Sequence, residues 1–157
     1  MTDSTTGPSA AMRVNWKAAT WAGLIAGAVF MMMEMGLVAA TGQSPWGPPR
    51  MIAAIAMGRD VLPPPATFDA AVLMVAMAIH MAVSVLLALV FAFLAARLGL
   101  VMAVVAGAVF GLLIYLVNFY GMTAFFPWFA MARNAISIVS HVAFGAVLAL
   151  SYKLIAR

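Results

Sequence analysis

Four long apolar runs dominate the pattern of hydrophobic and polar positions along the chain. Each run is long enough, at ~1.5 Å per helical residue, to cross a hydrocarbon core of ~30 Å. Formal charges fall between the runs, and Glu34 is the exception. The pattern predicts an all-α integral membrane protein, a four-helix transmembrane bundle whose spans cover residues 18–40, 70–96, 100–120 and 134–152.

One of the connecting segments has a pattern of its own. Residues 48–59 hold an apolar stretch with an arginine near each end. The stretch is too short to cross the membrane, so it predicts a short helix lying in the interface as part of an outer loop. Residues 1–12 have no apolar face to bury and are expected to form a disordered cytoplasmic tail. Residues 13–157 then make a single membrane domain.

The composition supports a membrane location and narrows the function. The chain of 157 residues is 67% hydrophobic and only 8% charged, whereas about a quarter of the residues in a typical soluble domain are charged. Its net charge of +4 is spread over the ends of apolar segments, which makes no basic patch for nucleic acid. The absence of cysteine excludes disulfides, thiolate metal sites and cysteine nucleophiles.

Basic residues are divided unevenly between the two sides of the predicted bundle. The side of the termini has five and the side of the long loop has three: Arg13, Lys17, Arg97, Lys153 and Arg157 against Arg50, Arg59 and Arg133. Because cytoplasmic loops carry the excess of lysine and arginine, both termini are expected to be cytoplasmic.

A short sequence recurs at corresponding places in the first and third spans. Residues 26–30 read Ala-Gly-Ala-Val-Phe, and residues 106–110 repeat them. Each copy precedes a loop with a Pro-Trp pair and then a span with one histidine. The recurrence predicts two tandem helical hairpins related by a pseudo-twofold along the membrane normal. Chance recurrence of common membrane residues is the alternative.

Three ionisable side chains lie inside the predicted spans: Glu34, His80 and His141. The two histidines lie at similar depth, because His80 is 11 positions after Asp69 and His141 is 8 after Arg133. Intramembrane ionisable residues usually face the bundle interior. We therefore predict that the three side chains form an intramembrane polar cluster.

Small residues at helical spacing indicate which helix faces pack together. Both histidines lie on stripes of alanine, serine and glycine, and Glu34 falls within ~20° of the face of the first glycines. Asn118 and Tyr115 of the third span could complete the cluster with hydrogen bonds. The glycines expected at helix contacts are Gly23, Gly27, Gly107, Gly111 and Gly145.

The cluster has three interpretations. Its groups could hydrogen-bond to one another and fix helix register, or they could relay protons or ions. In the third, the two histidines ligate a haem iron, with Arg133 or Arg50 near the propionates. The fourteen methionines do not indicate copper, because consecutive methionines point all round a helix. We expect no metal, no cofactor and no catalytic residues, since the chain has none of the usual catalytic spacings.

Several short motifs resemble those of the YagU-like family of small bacterial inner-membrane proteins. They are Gly23-Leu24-Ile25-Ala26-Gly27, Pro48-Pro49-Arg50, a histidine in the second span, Pro127-Trp128, and His141. The resemblance implies a multi-pass protein of the bacterial inner membrane with a link to acid tolerance and with no established catalytic residues. The chain lacks the long charged C-terminal tail of that family.

The chain also resembles short proteins labelled sodium:proline symporter. Symporters of that class resemble ten-helix inverted repeats with broken helices, whereas four spans in parallel repeats offer no interrupted helix. A transporting role would require an oligomer.

The sequence thus favours a non-enzymatic accessory or structural protein of a membrane assembly, with a stress-related role. The expected partners are the lipid bilayer and other membrane protein subunits or further copies of the chain, and not nucleic acid. The alternative is an oligomeric transporter of protons, ions or small solutes that uses the Glu/His cluster, and a bis-histidine haem protein ranks third.

Overall fold

The computed structural model describes residues 14–157, so the expected tail over residues 1–12 lies outside the described residues. Within residues 14–157 five α-helices follow one another: α1 (Trp16–Ala40), α2 (Gly47–Met57), α3 (Ala70–Ala95), α4 (Leu100–Leu116) and α5 (Ala135–Ile155). In this described part of the chain, four helical segments are long and apolar enough to cross a membrane, and α2 is too short to do so. The prediction of an all-α bundle of four spanning helices is confirmed.

Local sequence explains where three of the long helices begin. Asn15, Asp69 and Asn134 are the N-cap residues of α1, α3 and α5. Each side chain accepts a hydrogen bond of 3.0 Å from the backbone N–H three residues later. These bonds satisfy N–H groups that have no partner within the helix.

The third span changes its helical form before it ends. α4 continues into a π-helical turn, Val117–Gly121, and then into a 3₁₀ turn, Met122–Ala124. Arg133 stabilises this widened turn, since its Nε donates a 2.6 Å hydrogen bond to the carbonyl oxygen of Phe119. The guanidinium also lies 4.4 Å above the centre of the Tyr120 ring. The π-helical turn, hereafter the π turn, carries Asn118 and Phe119.

The long helices pack as two hairpins that share one interface. α1 packs against α3 in the first hairpin, α4 packs against α5 in the second, and α1 also packs closely against α5. In contrast, α3 and α4 touch each other little. The bundle is therefore tight along the row α3–α1–α5–α4 and leaves a cleft between α3 and α4.

The two ends of the bundle differ in what they bury. The end that holds the start of α1 and the end of α5, hereafter the terminal end, has a tightly packed apolar core. Its members are small residues with a few large ones among them: Ala18, Ala19, Ala22, Ala92, Ala95, Phe91, Leu148 and Tyr152. None of these is more than 3% exposed.

The opposite end is covered by α2 and the loops, and we refer to it as the α2 end. Proline in the first turn starts α2, and Gly58, at a positive φ of 86°, ends it. α2 packs on α3 through Ala53, Val72 and Ala76. It thus has a protein partner on one face, in addition to the interface position that its sequence predicts.

Two side chains tie the loops of the α2 end together. Arg50 donates to the carbonyl oxygens of Thr67 and Val61 over 2.9 and 3.0 Å. Trp128, from the loop before α5, donates its indole N–H to the carbonyl oxygen of Met51 over 3.0 Å. These bonds join the loops of both hairpins into one cover over the bundle.

Candidate functional site

A cavity of about 530 Å³ lies at the α2 end of the bundle. Its walls come from α1, α2, α3, the π turn and α5, and it reaches the cleft between α3 and α4 at Val83 and Val117. Ligand cavities commonly measure ~300–1,000 Å³ and are mostly apolar with a few polar groups. Four of the predicted cluster residues line this one: Glu34, His80, Asn118 and His141.

Glu34 is buried in the wall of the cavity, with 6% of its surface exposed. One carboxylate oxygen, Oε1, accepts a 2.8 Å hydrogen bond from the hydroxyl of Ser137. The other oxygen, Oε2, is buried, and within residues 14–157 it has no hydrogen-bond partner. A buried acceptor without a partner is costly, so Oε2 is the polar atom of the site that its protein surroundings satisfy least.

His141 has both ring nitrogens engaged with the protein. Nδ1 donates a 2.7 Å hydrogen bond to the carbonyl oxygen of Ser137, and because a carbonyl oxygen only accepts, Nδ1 carries the proton. Nε2 of the neutral ring then accepts a 3.4 Å hydrogen bond from the side-chain amide of Asn118. Ser137 thereby joins Glu34 and His141, since its hydroxyl contacts one and its carbonyl the other.

Aromatic rings surround the imidazole of His141. The rings of Phe30, Phe119 and Tyr115 lie 4.8, 5.3 and 5.7 Å from it between centroids, all close to perpendicular. Edge-to-face contacts of this kind hold a ring in one orientation. Tyr115 therefore belongs to the cluster through ring packing, whereas its sequence position had indicated a hydrogen bond.

His80 reaches the same cavity from α3. Its Nε2 donates to the carbonyl oxygen of Gly27 on α1 over 2.9 Å. Its ring lies 5.2 Å from the ring of Phe30, which also contacts His141. The two histidine rings therefore both contact Phe30. The N–H group of each ring donates to a backbone carbonyl oxygen.

The glycines singled out in the sequence lie at the helix contacts within the hairpins. Gly23 and Gly27 face Ser84 and its neighbours on α3. Gly107 and Gly111 of α4 face the backbone of α5, where Gly145 lies against the carbonyl oxygen of Gly107. Small residues let the helix backbones approach at these positions.

Three contributors to the site were not predicted as members of the polar cluster: Ser137, Phe30 and Phe119. Ser137 was placed only on the small-residue stripe of His141. Ser137 had a detectable signal, because it lies one helical turn before His141 and three residues after an asparagine that can cap a helix. Phe30 ends the repeated sequence, but nothing in that repeat distinguishes it from Phe110, which packs against Phe91 instead. Phe119 depends on the π turn, which has no sequence signature.

The two arginines proposed as haem propionate partners are used differently. Arg50 and Arg133 donate to loop and helix-end carbonyl oxygens. In the part of the chain that the structure describes, no three histidine, aspartate or glutamate side chains come together as a metal site.

No protein-family model, curated protein or solved structure matches this chain. The site therefore has to be interpreted from its own geometry.

Proposed function

We propose that this chain is a non-enzymatic accessory protein of the bacterial inner membrane, and that its polar cluster binds a small molecule and does not conduct ions. In the proposed orientation both termini are cytoplasmic, so the α2 end and its cavity face outward. The lysine and arginine bias along the chain supports this orientation. The resemblance to the YagU-like family supports the inner membrane and a stress-related role.

The observation that carries the proposal is the unequal distribution of buried polar groups. In the described residues, the buried polar side chains are Glu34, Ser84, Ser137, Ser140 and His141. All lie at the middle of the bundle or toward the α2 end. From Ser84 to the terminal end, the hydrophobic core is packed with alanine, phenylalanine and leucine.

This distribution favours binding because a proton or ion path must continue to both faces of the membrane. Among the described residues, Tyr152 is the one hydroxyl within the buried core near the terminal end, and it accepts a hydrogen bond from the backbone N–H of Asn15. It lies more than two helical turns from His141 along α5. A single copy therefore has a polar pocket that ends in an apolar core.

The haem alternative receives less support from the same geometry. Axial ligation requires a free ring nitrogen from each histidine with space for the porphyrin between them. The Nε2 lone pair of His141 is engaged by Asn118. The Phe30 ring packs against both imidazoles, in the position between them that a porphyrin would need.

Transport by an oligomer remains the second candidate, and the cleft between α3 and α4 is the observation in its favour. Val83 and Val117 are 45% and 58% exposed there, so a second copy that covered this cleft could extend the polar route. This candidate requires flux that grows with the protein-to-lipid ratio.

A flux measurement in liposomes tests the proposal against transport. Purified protein is reconstituted over a range of protein-to-lipid ratios, a proton gradient is imposed, and the internal pH is followed with a trapped dye, with a protonophore as the positive control. We expect the same flux as in empty liposomes at every ratio. Flux that disappears in the Glu34→Gln or His80→Ala variant would replace binding with transport.

A further inference from the structure

The described lining of the cavity contains a negatively charged side chain and no positively charged one. Of the described residues that line it, only Glu34 has a formal charge. Its Oε2 has no hydrogen-bond partner within residues 14–157. A carboxylate in an apolar setting is stabilised when an opposite charge or a donor reaches it. The cavity therefore lacks a positive partner for the one negative group that it contains.

Neighbouring side chains of the described protein do not supply that partner. The donating nitrogens of His80 and His141 are bonded to backbone carbonyl oxygens. Arg50 and Arg133 are bonded to carbonyl oxygens at the α2 end and do not line the cavity. The Ser137 hydroxyl satisfies Oε1 alone. The described side chains thus leave the Glu34 carboxylate without a positive partner in the cavity.

The rest of the lining indicates what the body of a ligand would be. Five phenylalanine rings line the cavity: Phe30, Phe119, Phe126, Phe129 and Phe144. Aromatic faces attract organic cations, and the attraction grows when water is excluded. Methionine, isoleucine and valine side chains fill much of the remaining wall. An anionic ligand would find no positive side chain among the described lining residues.

We propose that the cavity binds a lipophilic organic cation whose charged group lies at Glu34 and whose apolar body packs against the phenylalanine rings. Ammonium, phosphonium and guanidinium groups on an aromatic or alkyl body have this chemistry. The cation lies in the cavity beside the Glu34 carboxylate as the opposite charge, while Ser137 continues to hold Oε1. The inference rests on the proposed binding role and names the class of molecule bound.

Two probes of one shape and opposite charge test this assignment. Tetraphenylphosphonium and tetraphenylborate both carry four phenyl rings around a central atom. Saturable binding of each to the full chain in lipid nanodiscs is measured at neutral pH, with binding to empty nanodiscs subtracted. We expect the wild-type protein to bind the cation about tenfold or more tightly than the anion, a difference of about 1.4 kcal/mol.

Two carboxylate variants distinguish an effect of the Glu34 site from an effect of the protein's net charge. Glu34→Gln removes the charge and keeps the size of the side chain, so we expect it to lose about tenfold or more in affinity for the cation. Asp60→Asn removes an exposed carboxylate outside the cavity and should bind like wild type. Equal affinity of wild-type protein for both probes would overturn the proposal, and so would unchanged cation affinity in a folded Glu34→Gln protein.

The outcomes also separate this inference from the proposed function. If the protein shows neither a preference for the cationic probe nor proton flux, the cation site is rejected and the non-conducting role is retained. If the protein transports tetraphenylphosphonium into or out of liposomes in response to a proton gradient, the non-conducting role is rejected and the cation site is retained. If Glu34→Gln does not fold, the comparison of the two probes on wild-type protein decides by itself.

Discussion

The two hairpins have corresponding sequences but are packed to different extents. In the first hairpin, Gly27 of α1 meets Ser84 of α3, which lies one turn after His80. In the second, Gly107 of α4 meets Gly145 of α5, which lies one turn after His141. The contacts are equivalent in position, yet one involves a serine side chain and the other brings two glycine backbones together.

This difference affects the position of each histidine. Where glycine meets glycine, α4 and α5 approach so closely that the carbonyl oxygen of His141 lies against Gly111, and His141 is only 4% exposed. Where serine occupies the contact, His80 is less buried and bonds across the hairpin to the carbonyl of Gly27. Of the two histidines that line the cavity, the one beside the glycine–glycine contact is thus buried and the one beside the serine contact is partly exposed.

The largest expected effect comes from adding a methyl group in the second hairpin. In Gly145→Ala the new Cβ would collide with the backbone carbonyl of Gly107, which cannot rotate away. We expect a loss of about 3 kcal/mol in the free energy of unfolding, at the upper end for overpacked sites. Denaturation in mixed detergent micelles measures it.

Gly36→Ala is the matched control for that change. Gly36 is also within a spanning helix, but an added Cβ would meet no atom within 4 Å. Alanine should leave stability unchanged or raise it by about 0.5–1 kcal/mol, because glycine is a poorer helix former. Equal losses at Gly145 and Gly36 would contradict the close approach of α4 and α5.

A smaller effect is expected where the hairpins join through hydrogen bonds. Ser137→Ala removes the hydroxyl that donates a hydrogen bond to Glu34. We expect the free energy of unfolding to fall by about 1–2 kcal/mol, because a buried acceptor loses its partner. Ser140, equally buried on α5, has no partner for its hydroxyl within residues 14–157. Ser140→Ala should therefore be neutral or stabilising. The same unfolding measurement applies, and a larger loss in Ser140→Ala would reverse the assignment of the two serines.

The smallest effect is expected at the glycine of the first hairpin. In Gly27→Ala the added Cβ meets the Ser84 hydroxyl and the Met81 sulfur, which can rotate away, and the Ser84 Cβ at 3.0 Å, which needs only a small helix shift. We expect a loss below about 1 kcal/mol. Combining it with Ser84→Ala should reduce the loss, because the nearest clashing atom is gone. A loss as large as in Gly145→Ala would show that the hairpins are packed alike.

The spanning helices could be predicted because their signal is local. Each apolar run is long enough to cross the membrane and is bounded by polar residues such as Asn15, Asp69 and Asn134, which cap the helices. The third span was predicted as residues 100–120, whereas α4 ends at Leu116 and passes into the π turn. That change depends on the tertiary contact of Arg133 with the Phe119 carbonyl.

The candidate site was predictable only in part. The depth of the charged and polar residues along the helices and the small-residue stripes place Glu34, His80, His141 and Asn118 inside the bundle, and all four line the cavity. The ring of Phe30 lies between the histidines because α1 packs against both α3 and α5. The cavity borders the cleft between α3 and α4. Such a cleft depends on which pairs of helices pack together. The sequence pattern of a single helix does not specify its packing partner.

The central claim is that the polar cluster lies in a cavity at the α2 end and is separated from the terminal end by an apolar core. Single cysteines test it directly, since the chain contains none. Asn118→Cys places a thiol in the cavity wall, and Arg97→Cys places one in the exposed loop at the terminal end. A membrane-impermeant thiol reagent is applied to each side of oriented vesicles. We expect Asn118→Cys to react only from the side opposite to Arg97→Cys. Reaction of both cysteines from one side would contradict the claim.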